Sequence, residues 1–175
     1  VKLTRFFVCE DPMNEFLDRV RSAMEEYFGS DARRIAHAHA VTGYASELLA
    51  NIDADEVLTI AAAYLHDIGI PEAERKFASC VGPLQEQEGP PVARVLLEKL
   101  AAPADFIDKV CALVGAHHTP KGIDSPEFRI LWDADALVNL AEVVPGKGAE
   151  QIETILDRAL VTEAGYRRAR QIFLD

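Results

Sequence analysis

Apolar residues recur along this chain at spacings of three and four, the pattern of helices that each bury one face. Phe16, Val20, Met24 and Tyr27 make the first stripe, closed by Gly29 and Ser30. A second helix is predicted from Asp31 to about Ala50. In "DADE", Asp53 and Glu56 have capping-box spacing ahead of a third helix that runs to Leu65 and stops at "GIP", residues 69–71. Residues 71–89 hold no sustained period and read as a long loop with at most a short helical piece. Prolines then mark three first turns: Pro90 in "PPVARVLLEKL", Pro103 in "PADFIDKVCALVGAHH", and Pro126 in "SPEFRILWDADALVNLAEVV", where Ser125 is the cap. Two further amphipathic helices are predicted at about 149–160 and 163–174, and "RFFV" at 5–8 reads as a short extended piece. No internal repeat or linker interrupts the series. The expected fold class is all-α, a single domain over 1–175 with a motif-bearing core at about 31–145 and closing helices at 146–175.

Composition narrows the function. The chain has 175 residues, 49% hydrophobic and 27% charged, which suits one ordered domain with a real core. The formal net charge of −11 repels nucleic acid, and no basic cluster offsets it; "YRRARQ" reads as a solvated helix face. No apolar run approaches the roughly 18 residues that cross a bilayer, and "VKLTRFFVCEDP" charges too soon for a signal peptide. Neither nucleic acid nor membrane is therefore expected as a partner. Cys9, Cys80 and Cys111 are odd in number and widely spaced, which fits a reduced, cytoplasmic protein rather than a disulfide or thiolate zinc scaffold. Cys111 falls on an apolar face and is assigned to the core.

The informative residues are polar ones on apolar faces, because burying them unpaired is costly. His37 shares its face with Val41, Tyr44 and Leu48, whereas His39 aligns with Thr42, Gly43 and Ser46. The third helix is apolar from Val57 to Leu65 and then delivers His66 and Asp67 together. Neighbours in mid-helix point about 100° apart, but at a fraying last turn both can bend to one point. An aspartate is also poorly placed at the negative end of a helix unless a cation accompanies it. His117 and His118 end another apolar helix, just before Pro120. Asp133 and Asp135 lie inside "LWDADALVNL", with Arg129 the one cation within four residues. Periodicity slightly favours Asp133 as the inward one.

A histidine on an early helix, an adjacent His-Asp about thirty residues on, and an aspartate in a later "DADxL" helix resemble the HD superfamily of metal-dependent phosphohydrolases. The match rests on His37 in "RIAHAHAV", His66 and Asp67 in "LHDIG", and Asp135 in "DADAL". The resemblance implies these four as metal ligands and prefers Asp135 to Asp133, against the periodicity. It covers roughly residues 31–145. Members with two metals often carry a further histidine before a "GAxxA" helix; here "LQEQEGPPVARVLL" offers Gln85, Glu86, Gln87 and Glu88 instead. A second ion would then need Glu88 or Glu86, and one ion is expected. His118 matches the family's later histidine best.

Two imidazoles and two carboxylates suit Mn²⁺, Fe²⁺, Co²⁺, Ni²⁺ or Zn²⁺ better than Ca²⁺, with Mg²⁺ left open. Such an ion acidifies a water and polarises a phosphoryl oxygen, so the resemblance implies hydrolysis of a small phosphomonoester or nucleotide. Asp67, His117 and His118 are the candidate proton carriers. Asp133 is a candidate to hold a ligand histidine in its tautomer, with Glu88 also beside the centre. Arg75, Lys76 and Lys121 are candidates for phosphate contact, and the 71–89 loop for a substrate lid. The closing helices shape the pocket, pack a homodimer or complete the core. The alternative reading is a non-catalytic module that binds a nucleotide or metal to regulate.

Overall fold

The third helix organises the others. Leu58 to Ala63, with Leu65, are all buried, so α3 (Glu56–Leu65) is enclosed nearly all round, with Glu56 exposed at its start and Val57 and Tyr64 half-buried. Its alanines at 61, 62 and 63 let neighbours approach closely. The computed structural model describes residues 12–175, and nine α-helices and no strand occur among them. The others are α1 (Pro12–Phe28), α2 (Ala32–Leu49), α4 (Ile70–Phe77), α5 (Gly82–Lys99), α6 (Ala104–Val114), α7 (Pro126–Val143), α8 (Ala149–Ala159) and α9 (Glu163–Phe173). Around α3 pack α1, α2, α6 and α7; α2 also lies along α7, and α5 lies along α6. The expected all-α class is what the chain adopts. The stretch at 5–8 and Cys9 lie outside the described residues.

Several predicted ends hold to the residue. Asp31 caps α2 by accepting from the Arg34 amide at 3.1 Å, and Ser125 caps α7 by accepting from Phe128 at 3.3 Å. Cys111 is buried, its thiol 3.3 Å from the Pro90 carbonyl.

Two predictions are corrected. The cap of α3 is Asp55, not Asp53: its carboxylate accepts from Leu58 at 3.0 Å, while its own amide is held by Glu127 of α7 at 3.0 Å. Residues 71–89 are not a loop or lid. They contain α4 and the first turns of α5, joined by residues 78–81. The first-turn proline of α5 is Pro83, and the helix continues through Pro90 and Pro91. Neither proline can donate to the carbonyl four residues back, so packing rather than intrinsic propensity holds this segment helical.

Glycine shows how tight that packing is. A Cβ on Gly69 would sit 2.5 Å from both the Gln85 carbonyl oxygen and the Gly89 amide nitrogen. The turn at 66–69, just after α3, is thereby pressed against α5.

The last two helices are tied down by α7. The indole of Trp132 donates to the Ala159 carbonyl at 2.9 Å. Asp133, fully buried, accepts from the Val161 amide at 2.8 Å, the Thr162 amide at 2.9 Å and the Thr162 hydroxyl at 2.5 Å. A side chain on Gly165 would collide with that carboxylate.

Candidate metal centre

Three helix features converge on one point. His37 comes from the middle of α2. His66 is the C-cap of α3, and Asp67 follows it in the turn. Asp135 comes from α7. The His37 Nε2 lies 3.1 Å from the His66 Nε2, 3.1 Å from Asp135 Oδ1 and 3.6 Å from Asp67 Oδ2. His66 Nε2 is 3.5 Å from Asp67 Oδ2 and 3.8 Å from Asp135 Oδ1. A second group adjoins the first: Asp67, His117 and His118 also present donor atoms within 4.8 Å of one another. Asp67 serves both, with Oδ2 toward His37 and His66 and Oδ1 3.6 Å from the His117 Nε2.

The histidine tautomers follow from the backbone. His66 Nδ1 donates to the Ala63 carbonyl at 2.8 Å, and His117 Nδ1 to the Val114 carbonyl at 2.7 Å. Both carbonyls lie in the last turns of their helices, where no amide of the next turn claims them. Each Nε2 therefore carries a lone pair directed into the cluster. The His117 Nε2 is buried and has no hydrogen-bond partner among the described residues, an arrangement that costs about 1–3 kcal/mol if nothing else binds there. His37 and His66 bring two ring nitrogens together at 3.1 Å, a spacing that an N–H···N hydrogen bond or a shared cation satisfies.

The electrostatics agree. Burial alone would depress the His66 pKa, but the Asp67 and Asp135 carboxylates override it and raise it to about 9. Burial works against the charge on Asp67 too, yet His66 and His117 hold its carboxyl well below the usual range. Asp135 is likewise lowered, against burial, by His37 and His66. The site is thus an anionic pocket that attracts positive charge, whether proton or metal. Metal–ligand distances of about 2.0–2.2 Å place neighbouring ligands roughly 3.0–3.5 Å apart, close to the separations of His37 and His66 from each other and from each of the two carboxylates. The residues fit a divalent ion with mixed nitrogen and oxygen donors.

The HD domain family model matches residues 34–140, a span that contains every one of these side chains. The chain belongs to the HD domain family. HD domains bind divalent metals, and the family is one of metal-dependent phosphohydrolases. Among solved structures, the chain is similar to a predicted HD superfamily hydrolase from an uncultured Thermotogales bacterium, with 28% identity and a TM-score of 0.60. The alignment covers 90% of this chain and 83% of that one. No curated protein matches.

Within this HD domain, Asp135 joins the cluster and Asp133 does not. Both point inward, on different sides of α7: Asp133 is spent on residues 161–162 and touches no ligand histidine, which corrects its expected role in fixing a tautomer. Glu88 is also elsewhere, 2.5 Å from Lys76 and 3.0 Å from the Gln87 amide. Glu86 is held by Lys121 at 3.1 Å and accepts from the His118 amide at 3.1 Å, so neither glutamate enters the second group.

The cations expected at phosphate are otherwise engaged. Arg75, 65% exposed, pairs with Glu72 at 2.6 Å; Lys76 pairs with Glu88; Lys121 reaches Glu86 and donates to the Gly115 carbonyl at 2.8 Å. None of the three lines the cavity that opens beside the cluster. One supporting residue escaped the sequence reading: Asn139 donates to Asp135 Oδ1 at 2.9 Å. Its i+4 spacing from Asp135 on the same helix was the available signal. His39, as its polar face suggested, turns away and meets Glu25 at 2.8 Å.

Proposed function

We propose that this HD domain is a divalent-metal-dependent phosphohydrolase that cleaves a small phosphomonoester or nucleotide. One observation carries the reading: His37, His66, Asp67 and Asp135 converge with the His37 and His66 Nε2 atoms 3.1 Å apart. These four would hold the ion. When bound, it supplies Lewis acidity, lowering the pKa of a water and drawing charge from a phosphoryl oxygen.

The chain's own groups then have distinct tasks. Asp67 stays ionised, and its two oxygens bridge the two donor groups. Asn139 and His37 fix the Asp135 carboxylate. In hydrolysis the water oxygen forms a bond to phosphorus, the ester P–O bond breaks, and the water's proton must be accepted while the leaving alcohol gains one. The His117 Nε2 lone pair, buried and unpaired, is placed to accept a proton beside Asp67. Burial and then His117 lower the His118 pKa and favour its neutral form, in which Nε2–H is given to Gln85 and Nδ1 is the accepting nitrogen. Its Nε2 lies 3.2 Å from Gln85 Oε1, which orients the ring.

The test is elemental analysis of the purified protein, followed by phosphate release from a generic chromogenic ester with added Mn²⁺, Mg²⁺ or Ni²⁺. Metal-stimulated release that Asp67→Asn abolishes is expected. Metal-replete protein that hydrolyses nothing across a phosphate-ester panel, yet binds a nucleotide, would instead establish a regulatory module.

A further inference from the structure

From the metal centre a cavity of about 260 Å³ opens along α7. His117, His118 and Asp135 form its inner end. Beyond them the wall is Trp132, Ala136, Leu140, Val143 and Ala159, with Asn139 the one polar side chain, itself turned to Asp135. Among the described residues, no lysine or arginine lines it. Trp132 has no polar group to offer, because its indole N–H is already given to the Ala159 carbonyl at 2.9 Å. Val143 stands at the cavity as an apolar side chain with 48% of its surface exposed.

We infer that the substrate carries a single phosphate on a compact, uncharged, mainly apolar body, such as an arylmethyl or branched alkyl monophosphate, and that polyphosphates are rejected. This rests on the hydrolase reading above and narrows it. Only the inner end of the cavity offers compensation for phosphate charge. A second or third phosphate would face apolar walls in a chain of net charge −11, with no cation to pair. An apolar body, in contrast, covers Trp132 and Val143. The volume agrees, since a cavity of about 150 Å³ accommodates benzene and the remainder suits a phosphoryl group.

The experiment compares benzyl phosphate with glycerol 3-phosphate on the metal-loaded full chain. Both are esters of primary alcohols, so their intrinsic reactivities are alike and the difference reports the pocket. Benzyl phosphate should have a kcat/KM at least about tenfold higher, and adenosine triphosphate should be poorer than adenosine monophosphate. The chain's one tryptophan is Trp132, so titration with non-hydrolysable benzylphosphonate should change its fluorescence saturably. Ala136→Leu, which fills the cavity, should abolish that change. Val143→Lys, on the exposed rim, should leave the fold intact and narrow the gap between adenosine tri- and monophosphate. Equal or inverted preference with brisk phosphate release overturns this inference and leaves the hydrolase reading standing. No release from any ester fells the hydrolase reading, and the titration then decides the ligand class alone. A fluorescence response that Ala136→Leu does not touch places the ligand in the separate cleft on the other side of Trp132, beside Phe128 and Arg129, and also overturns it.

Discussion

Asp133 and Asp135 are two residues apart on α7, and substituting each should affect a different property. Asp133→Ala removes the common acceptor of the Val161 amide, the Thr162 amide and the Thr162 hydroxyl. The hydroxyl can turn to another acceptor; the two amides cannot. Each buried donor left bare costs about 1–3 kcal/mol, and these are only partly buried, so the loss is about 3 kcal/mol. For a chain of this size that lowers Tm by roughly 6–12 °C. Burial pushes the Asp133 pKa up, and the hydrogen bonds from Thr162 and Val161 pull it back only in part. A carboxyl with a raised folded pKa contributes most when neutral, and its contribution fades as pH climbs through that value. Asp133→Asn keeps one carbonyl acceptor but turns its NH2 toward the other amide, so its cost should lie between zero and that of Asp133→Ala. Urea and thermal unfolding, run beside elemental analysis, measure both properties. Asp133→Ala should be unstable but metal-replete, and Asp135→Asn stable but metal-poor. If Asp133→Ala loses its metal while Tm falls by less than about 2 °C, the assignment of the two aspartates is reversed.

Three further outcomes are expected. Gly69→Ala forces a methyl onto backbone atoms of Gln85 and Gly89, which have no flexible end to move; it should cost about 3 kcal/mol or more in urea unfolding and weaken metal retention by displacing the 66–67 turn. His66 is raised from 6.5 to about 9 without metal, so its contribution is full below pH 6.5 and gone above 9. Melts in chelator should show metal-free stability falling across that window by up to about 3 kcal/mol, while metal affinity rises up to about tenfold per pH unit; a pH-independent difference between chelated and Mn²⁺-loaded melts contradicts this. Arg75→Ala should leave KM unchanged within about twofold in steady-state kinetics, because the guanidinium is spent on Glu72 at the surface.

The sequence made the helices legible wherever local chemistry alone decides an end. Asp31 and Ser125 cap as their spacing says, because each needs only its own next turn. It misled where two local solutions tie and a distant residue breaks the tie. "DADE" offers Asp53 and Asp55 as caps, and Glu127 of α7 selects Asp55 by holding its amide. "GP" at 82–83 and "PP" at 90–91 both look like first turns, and the close seating of α5 on Gly69 selects the earlier one. At the site, His66 and Asp67 were legible because an apolar run that ends in charge needs a reason. The direction of each aspartate on α7 was not, since both are buried and the period alone cannot say which of two interiors, core or cleft, receives a side chain. The engagement of Lys76 and Lys121 by Glu88 and Glu86 was equally hidden, because those partners lie 12 and 35 residues away and meet only through folding.

The anchoring of His66 on Ala63 has a consequence for how the centre is filled. A side chain steadied only by its ion swings loose when the ion departs, and rebinding must recapture it. The His66 ring is instead moored to the main chain of the helix it terminates, so it keeps its bearing without an ion. An incoming ion meets a seat already set, and exchange between one divalent ion and another proceeds without refolding, governed by which ions are supplied and how well each matches a spacing the backbone has fixed.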